Sequence, residues 1–315
     1  MKKIVITGSN GLLGQSLLKL LLKEKNNYEV FGFSKGVNRS GRTDFYFVSI
    51  DITNEENLKK ELIKIQPDAI INTAAMTQVD DCEIHKEACD VLNIEVVKWL
   101  KEIAEIINCH VIQLSTDFIF DGKKGYYKET DEPNPLSYYG ISKVKSEEIL
   151  LNSKIDFTIL RTILVYGKVY DMSRTNIVLW VREMLEKGKE ITIVDDQFRM
   201  PTYVEDLAMS CKLAIDKNAT GIYHISSTKL MSVFEIAQKI AQVFELDKNL
   251  IKPISSSILN QRARRPAKTG FNLLKTTSEL GLKVHSFEED LQRFKERRLQ
   301  QKRVFTPYCR TIKGC

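Results

Sequence analysis

Ile4-Val5-Ile6-Thr7-Gly8-Ser9-Asn10-Gly11-Leu12-Leu13-Gly14 stands near the head of a 315-residue chain. The apolar residues before Gly8 read as a strand, and three glycines spaced three apart read as a tight turn into a helix. Gly8 can take the backbone angles such a turn needs. Gly11 carries no side chain to block a diphosphate, and Gly14 lets helix and strand pack closely. Asn10 and Leu12 belong to the same turn. A helix from Leu12 to about Lys23 would point its free N–H groups and positive dipole end at a ligand. Three glycines can also serve a purely structural turn. Here the strand before them and the Leu-rich helix after them are both legible, and a dinucleotide site is expected.

Met1-Lys2-Lys3 followed by apolar residues has the start of a secretory leader, but the apolar run stops at Thr7-Gly8. No stretch approaches the ~18 apolar residues of a membrane span. Six cysteines form no Cys-x-x-Cys pair, so buried or surface thiols in a reducing cytosol, and a cytoplasmic protein, are expected. The net charge of +6 is local. Residues 295–315 hold seven basic residues and one acid, leaving 40 of each sign in the other 294. A basic tail can bind polyanions, yet a solvated, poorly ordered terminus is the simpler reading. Neither nucleic acid nor membrane is expected as a partner.

Apolar strand-like runs at 3–7, 28–33, 45–50, 69–73, 110–115 and 156–161 alternate with helical patterns near 12–24, 54–65, 86–107 and 137–152. That alternation predicts an α/β fold, a doubly wound parallel sheet of Rossmann type. Past Tyr166 the pattern loosens into helices near 175–187, 203–215 and 232–244 and short strands at 191–194 and 250–254. Residues 1–168, with returns near 195–225, are read as the dinucleotide-binding domain. Residues 169–194 and 226–294 are read as a smaller C-terminal substrate-covering lobe, and 295–315 as the basic tail.

Tyr139-Gly140-Ile141-Ser142-Lys143 places a phenol and an ammonium at i, i+4 on one helix face. A neighbouring ammonium favours phenolate, so Lys143 is expected to lower the Tyr139 pKa and make it a general acid. The spacing occurs by chance in a chain this rich in Lys; its position gives it weight. Leu114-Ser115-Thr116-Asp117 ends a predicted strand, and strand ends line the crevice of a doubly wound sheet. The Thr116 hydroxyl is thereby expected to meet the same carbonyl as Tyr139.

Glycine turn, strand-end Thr and Tyr/Lys helix, in that order, resemble an extended short-chain dehydrogenase/reductase. STDFIFDG (115–122), YYGISKVKSEE (138–148), DDQFRMPTYVEDLA (195–208) and RRPAKTGFNLL (264–274) closely resemble dTDP-4-dehydrorhamnose reductases, from Lys3 to about Leu291. By that resemblance Thr116, Tyr139 and Lys143 match a catalytic triad, with Tyr139 and Lys143 also touching the cofactor. Gly8, Gly11 and Gly14 match the diphosphate loop, and Asp51-Ile52 the pair contacting adenine. Ala74 and Ala75 match the strand-end stretch against the cofactor, and Asn93 a helix Asn behind the active site. Thr116, Asp117, Arg174 and Asn176 are the expected substrate contacts, Arg174 as partner of a substrate phosphate.

The resemblance is incomplete. These reductases usually read Arg-Thr-Ser-Trp-Val-Tyr-Gly, whereas this chain reads Arg161-Thr162-Ile163-Leu164-Val165-Tyr166-Gly167, so Leu164 replaces an aromatic platform. Between Val30 and Thr43 there is no acid to bind a ribose 2′-hydroxyl. Ser34, Lys35, Arg39 and Arg42 suit a 2′-phosphate instead, so NADPH is expected, with NADH the alternative. The resulting expectation is an NADPH-dependent reductase of a 4-keto nucleotide sugar or a related ketone, with a homodimer as its candidate assembly. The alternative is a non-catalytic, NADP-binding regulatory subunit similar to the β subunit of methionine adenosyltransferase. That relative tends to lose the strand-end Thr retained here as Thr116. An epimerase or dehydratase is less favoured, because Asp117 is followed by Phe118 and not by a second acid. Asp80, Asp81, Glu83 and His85 are read as helix-start acids without a metal, and His224 as a buried strand residue.

Overall fold

Ile4 and Ile6 face one helical layer and Val5 the other, and the same division separates Ile71 from Ile70, Ile112 from Val111 and Leu160 from Ile159. Strands apolar on both sides need cover on both. The computed structural model, which describes residues 1–304, provides it around a seven-stranded sheet. Its strands are β1 (Lys2–Thr7), β2 (Tyr28–Ser34), β3 (Tyr46–Ser49), β4 (Ala69–Asn72), β5 (His110–Thr116), β6 (Phe157–Thr162) and β7 (Gly221–Ile225). Every pairing is parallel, in the order β7-β6-β5-β4-β1-β2-β3. The order reverses at β1, which leaves a crevice beyond the carboxyl ends of β1 and β4.

The long helices are α1 (Leu12–Leu21), α2 (Glu55–Ile65), α3 (Val96–Ile107), α4 (Tyr138–Leu151), α5 (Ile177–Glu186), α6 (Val204–Lys217), α7 (Val233–Phe244) and α8 (Phe287–Val304). Leu17, Leu18 and Leu21 of α1 and Leu207, Ala208 and Cys211 of α6 cover one face. Leu58 and Leu62 of α2, Leu100 and Ile103 of α3 and Leu150 of α4 cover the other. A separate core gathers Val178, Val181, Ile236 and Ile240 from α5 and α7 with Ile191, Ile251 and Phe287. Within it Ile191–Val194 pairs in parallel with Ile251–Ile254.

Two expectations need correction. The helical pattern at 86–107 is three pieces, Lys86–Asp90, a π-helical turn Val91–Glu95, and α3. The wide turn carries Asn93, whose amide is committed to partners outside the helix. The basic tail expected from Lys295 is helical as far as Val304. There Lys295 pairs with Glu245 at 2.6 Å and donates to the Val243 carbonyl at 2.8 Å, and Arg297 pairs with Glu205. Apolar Phe287, Leu291 and Phe294, fully buried or nearly so, seat α8 on the second core. The rest of that tail lies outside the described residues. Among them no helix is long and apolar enough to cross a membrane.

Candidate active site

A row of buried hydrogen bonds fixes the strand ends beneath the crevice. Thr7 Oγ1 donates to Asn72 Oδ1 at 2.6 Å, and Asn72 Nδ2 to Gln113 Oε1 at 2.8 Å. Thr73 Oγ1 donates back to the Thr7 carbonyl at 2.6 Å. From Thr7 the chain turns through Gly8 at φ +66°. A Cβ on Gly14 would lie 2.4 Å from the Gly8 carbonyl oxygen and 2.6 Å from Ser9 Cα. Gly14 is therefore the close-packing glycine of the turn. Gly11, by contrast, would meet only the Gly8 oxygen within 4 Å and leaves its outer side open. No side chain caps α1, whose amides at Leu12 and beyond begin at this opening. Ala74 packs against Gly8, its N and Cα at 3.1 and 3.2 Å from a Cβ placed there. Ala75 follows, half-buried, at the same strand end.

Asn10 organises the loop after β2. Its N–H donates to Ser34 Oγ at 3.1 Å, its Nδ2 to the Val37 carbonyl at 2.8 Å, and its Oδ1 accepts from the Arg39 N–H at 2.8 Å. The cations expected to meet a 2′-phosphate stand together here, but each holds a carboxylate. Lys35 pairs with Asp51 at 2.8 Å, Arg39 with Asp171 at 2.9 Å and Arg42 with Asp44 at 2.6 Å. The hydrogen bond from Lys35 holds the Asp51 carboxyl below its usual pKa. Ile52 beside it is buried in the core under α2.

At the end of β5, Thr116 is nearly buried; its hydroxyl donates to Asp117 Oδ1 at 3.2 Å and accepts from the Phe118 N–H at 3.2 Å. Ser137 caps α4 through the Gly140 N–H at 3.3 Å, and Tyr139 and Lys143 follow on its first two turns. Gly140 permits that approach, because a Cβ would lie 2.3 Å from the Phe118 carbonyl. The Tyr139 ring meets Phe118 edge-on at 5.9 Å.

The electrostatics correct one expectation. Burial raises the Tyr139 pKa above that of a free phenol, and the Thr116 hydroxyl only partly offsets it. Any lowering by Lys143 is outweighed by that burial. Lys143 is itself shifted down to about 8 by burial, against an opposing pull from Glu147. Its ammonium has no hydrogen-bond or ion-pair partner among the described residues. Glu147, the neighbouring buried carboxylate, is taken by Arg161 at 2.7 and 3.0 Å. The phenol is thus protonated at neutral pH, beside a buried cation that lacks an acceptor.

Two expected substrate contacts, Asp117 and Asn176, are differently employed. Asp117 is 2% exposed, with its oxygens engaged by Thr116, Thr269 and Arg199. It stands behind the site and joins three of the four motif segments through Arg199 and Thr269, whose strands Phe198–Arg199 and Lys268–Phe271 pair with each other. Asn176 caps α5 through the Leu179 N–H at 3.3 Å and donates to the Gly167 carbonyl at 2.7 Å. Arg174 reaches Thr77 Oγ1 at 3.2 Å, across from the Ala74-Ala75 strand end. Leu164 is 36% exposed at φ +43°, a left-handed conformation unusual for a branched residue.

Asn93 is saturated. It accepts from the Met76 N–H at 2.8 Å and donates to the Met76 carbonyl at 3.1 Å and Ser142 Oγ at 3.0 Å. The strand-end loop is thereby tied to the helix of Tyr139. His224, on β7, is buried and stacked 4.0 Å from Phe271. Asp80 pairs with Arg265 at 2.7 Å. One acid–histidine cluster went unread in the sequence: Asp206, His285 and Asp290 converge in space. The Arg293 guanidinium already fills it, donating to Asp206 at 2.8 and 3.0 Å and to Asp290 at 2.5 Å. Gln15, Thr77 and Asp171 border the crevice with no local motif to announce them.

The profile described as RmlD substrate binding domain matches residues 1–299. The chain is 30% identical over 304 residues to a dTDP-4-dehydrorhamnose reductase of Aggregatibacter actinomycetemcomitans, covering 93% of this chain and 98% of that protein. It is 29% identical over 261 residues to methionine adenosyltransferase 2 subunit beta of Bos taurus, covering 81% and 76% respectively. Among solved structures, a dTDP-4-dehydrorhamnose reductase from Bacillus anthracis in complex with NADP superposes with a TM-score of 0.83 at 29% identity. That match covers 94% of this chain and 99% of the other.

Proposed function

The chain belongs to the RmlD substrate-binding domain family, and from that premise we propose that it is an NADPH-dependent reductase of a 4-keto nucleotide sugar. The observation that carries the reading is the Lys143 ammonium: buried, without a partner among the described residues, and one helical turn from Tyr139. A buried cation without a carboxylate is costly in the ligand-free protein. Its site fits a cofactor ribose, whose hydroxyls offer the missing acceptors. The open side of Gly11 and the uncapped start of α1 fit a diphosphate, and Ser34, Lys35 and Arg39 fit a 2′-phosphate. Asp51 and Ile52 border the adenine end.

When bound, NADPH supplies a hydride for the carbonyl carbon. Tyr139, protonated at neutral pH, donates the proton to the carbonyl oxygen, and Thr116 turns its hydroxyl from Asp117 toward that oxygen to orient it. Lys143 holds the ribose and stabilises the phenolate left on Tyr139, a role that grows as negative charge develops there. Arg174, at the mouth of the crevice, pairs with the substrate diphosphate. We read residues 1–168, with returns near 195–225, as the dinucleotide-binding domain and residues 169–194 and 226–294 as the smaller covering lobe of a cytoplasmic enzyme.

The similarity to methionine adenosyltransferase 2 subunit beta supports a second reading, a regulatory subunit that binds NADP without turnover. Thr116 and its placement beside Tyr139 favour the enzyme. The two separate in one experiment: NADPH oxidation by purified protein against 4-keto dTDP-, UDP- and GDP-sugars. Turnover of any of them establishes the reductase. Tight NADP⁺ binding with no turnover across the panel establishes the regulatory reading.

A further inference from the structure

Residues 167–176 form a loop whose ends are pinned together by the Asn176 Nδ2 bond to the Gly167 carbonyl at 2.7 Å. Its tip reaches both walls of the crevice. On one side Gln15 Nε2 donates to the Tyr170 carbonyl at 2.8 Å while also holding the Asn10 carbonyl of the glycine turn at 2.9 Å. The Tyr170 ring lies against Gly41, where a Cβ would stand 3.3 Å from it. On the other side Arg174 reaches Thr77 at 3.2 Å. Between them Asp171, in the left-handed region at φ +41°, presents two acceptors to one guanidinium. Arg39 Nε donates to its carboxylate at 2.9 Å and Arg39 Nη2 to its carbonyl.

Building on the assignment of an NADP(H) site, we propose that Asp171 is the counter-ion that a 2′-phosphate displaces from Arg39, so that Asp171 helps set the discrimination between NADP(H) and NAD(H). A guanidinium offers its Nε–Nη edge to one carboxylate or phosphate at a time in side-on geometry, and Asp171 holds that edge. Arg39 is anchored within the loop by the Asn10 bond to its N–H, so it can change partner without leaving the loop. Asp171 belongs instead to the strap over the crevice. Exchange at Arg39 therefore releases one of the strap's ties on the adenosine side, while the Gln15 tie remains. A cofactor without the 2′-phosphate leaves the pair intact. The cost falls only on NADP(H).

The test is equilibrium binding of NADP⁺ and NAD⁺, by titration calorimetry, to the full chain and to Asp171→Asn, Arg39→Gln and the double variant. Asp171→Asn removes a partly exposed ion pair, and pairs open to solvent contribute little. NADP⁺ should bind about two- to fivefold tighter, with NAD⁺ unchanged. Arg39→Gln should weaken NADP⁺ alone, and in its background Asp171→Asn should have no further effect. Weaker NADP⁺ binding in Asp171→Asn, an equal change for NAD⁺, or an effect that survives Arg39→Gln overturns the inference while leaving the reductase reading standing. Binding of neither cofactor to the unaltered chain overturns both.

Discussion

Replacing Lys143 by methionine keeps an unbranched chain one atom shorter and removes a charge from a site that is 2% exposed. In the folded chain this ammonium loses its proton at about 8, against an ordinary value of 10.5. At about 1.4 kcal/mol per pKa unit, the protonated form is disfavoured by folding to the extent of about 3 kcal/mol. The sign follows from proton counts. Below pH 8 folded and unfolded chains both carry the proton, and the full cost is present. Between pH 8 and 10.5 the folded chain has released it and the unfolded chain has not, so stability of the unaltered protein rises with pH. Above 10.5 the difference is gone. Glu147 keeps Arg161 as its partner, so the substitution strands no carboxylate. Lys143→Met should therefore stabilise the ligand-free protein by about 2–3 kcal/mol at pH 7. Its advantage should shrink toward pH 10 while turnover is lost. Urea unfolding of both proteins at pH 7 and pH 10 measures this directly. A variant less stable than its parent at pH 7, or an advantage equal at both pH values, would refute the account of Lys143 as a cation held at a cost for its ligand.

Tyr139→Phe removes the proton donor and leaves the ring against Phe118. On an identified substrate kcat should fall on the order of 10²–10⁴-fold with NADP⁺ affinity within twofold; near-normal turnover would sink the mechanism. Gly14→Ala places a methyl 2.4 Å from the Gly8 carbonyl, so backbone must move. A stability loss of about 1–3 kcal/mol with loss of NADP⁺ binding is expected, and an unaltered calorimetric titration would contradict it. Glu147→Gln leaves the buried Arg161 guanidinium, also 2% exposed, without its anion. Chemical denaturation should show a cost of about 3–5 kcal/mol; a loss below 1 kcal/mol would mean that the pair is not sealed from water.

The parallel sheet was legible because its evidence is local and repeated. Six apolar runs were expected as strands, and each is one to within about two residues. The glycine turn was legible for the same reason, since only a few backbone paths lead from Thr7 into Leu12. What failed to show were short strands such as Phe198–Arg199 and Lys268–Phe271, which carry no apolar run. The π turn at Val91–Glu95 was also hidden. Its cause is the pull of Asn93 toward Met76 and Ser142, distant in sequence.

The order of turn, strand-end Thr and Tyr/Lys helix was written in the chain, and with it the place of Thr116, Tyr139 and Lys143. Charge states and partners were not. The sequence puts Lys143 beside Tyr139 and suggests a lowered phenol pKa; burial decides otherwise, because desolvation acts on every side of a group and spacing along one helix describes only one side. Lys35, Arg39 and Arg42 read as free cations until the fold supplied Asp51, Asp171 and Asp44. Arg39 and Asp171 are 132 residues apart. Asp117 likewise reads as a substrate ligand until Arg199 and Thr269 arrive behind it. Periodicity and turn chemistry are short-range and survive in one dimension. Desolvation and ion pairing depend on which distant segments share a volume, and only the folded chain decides that.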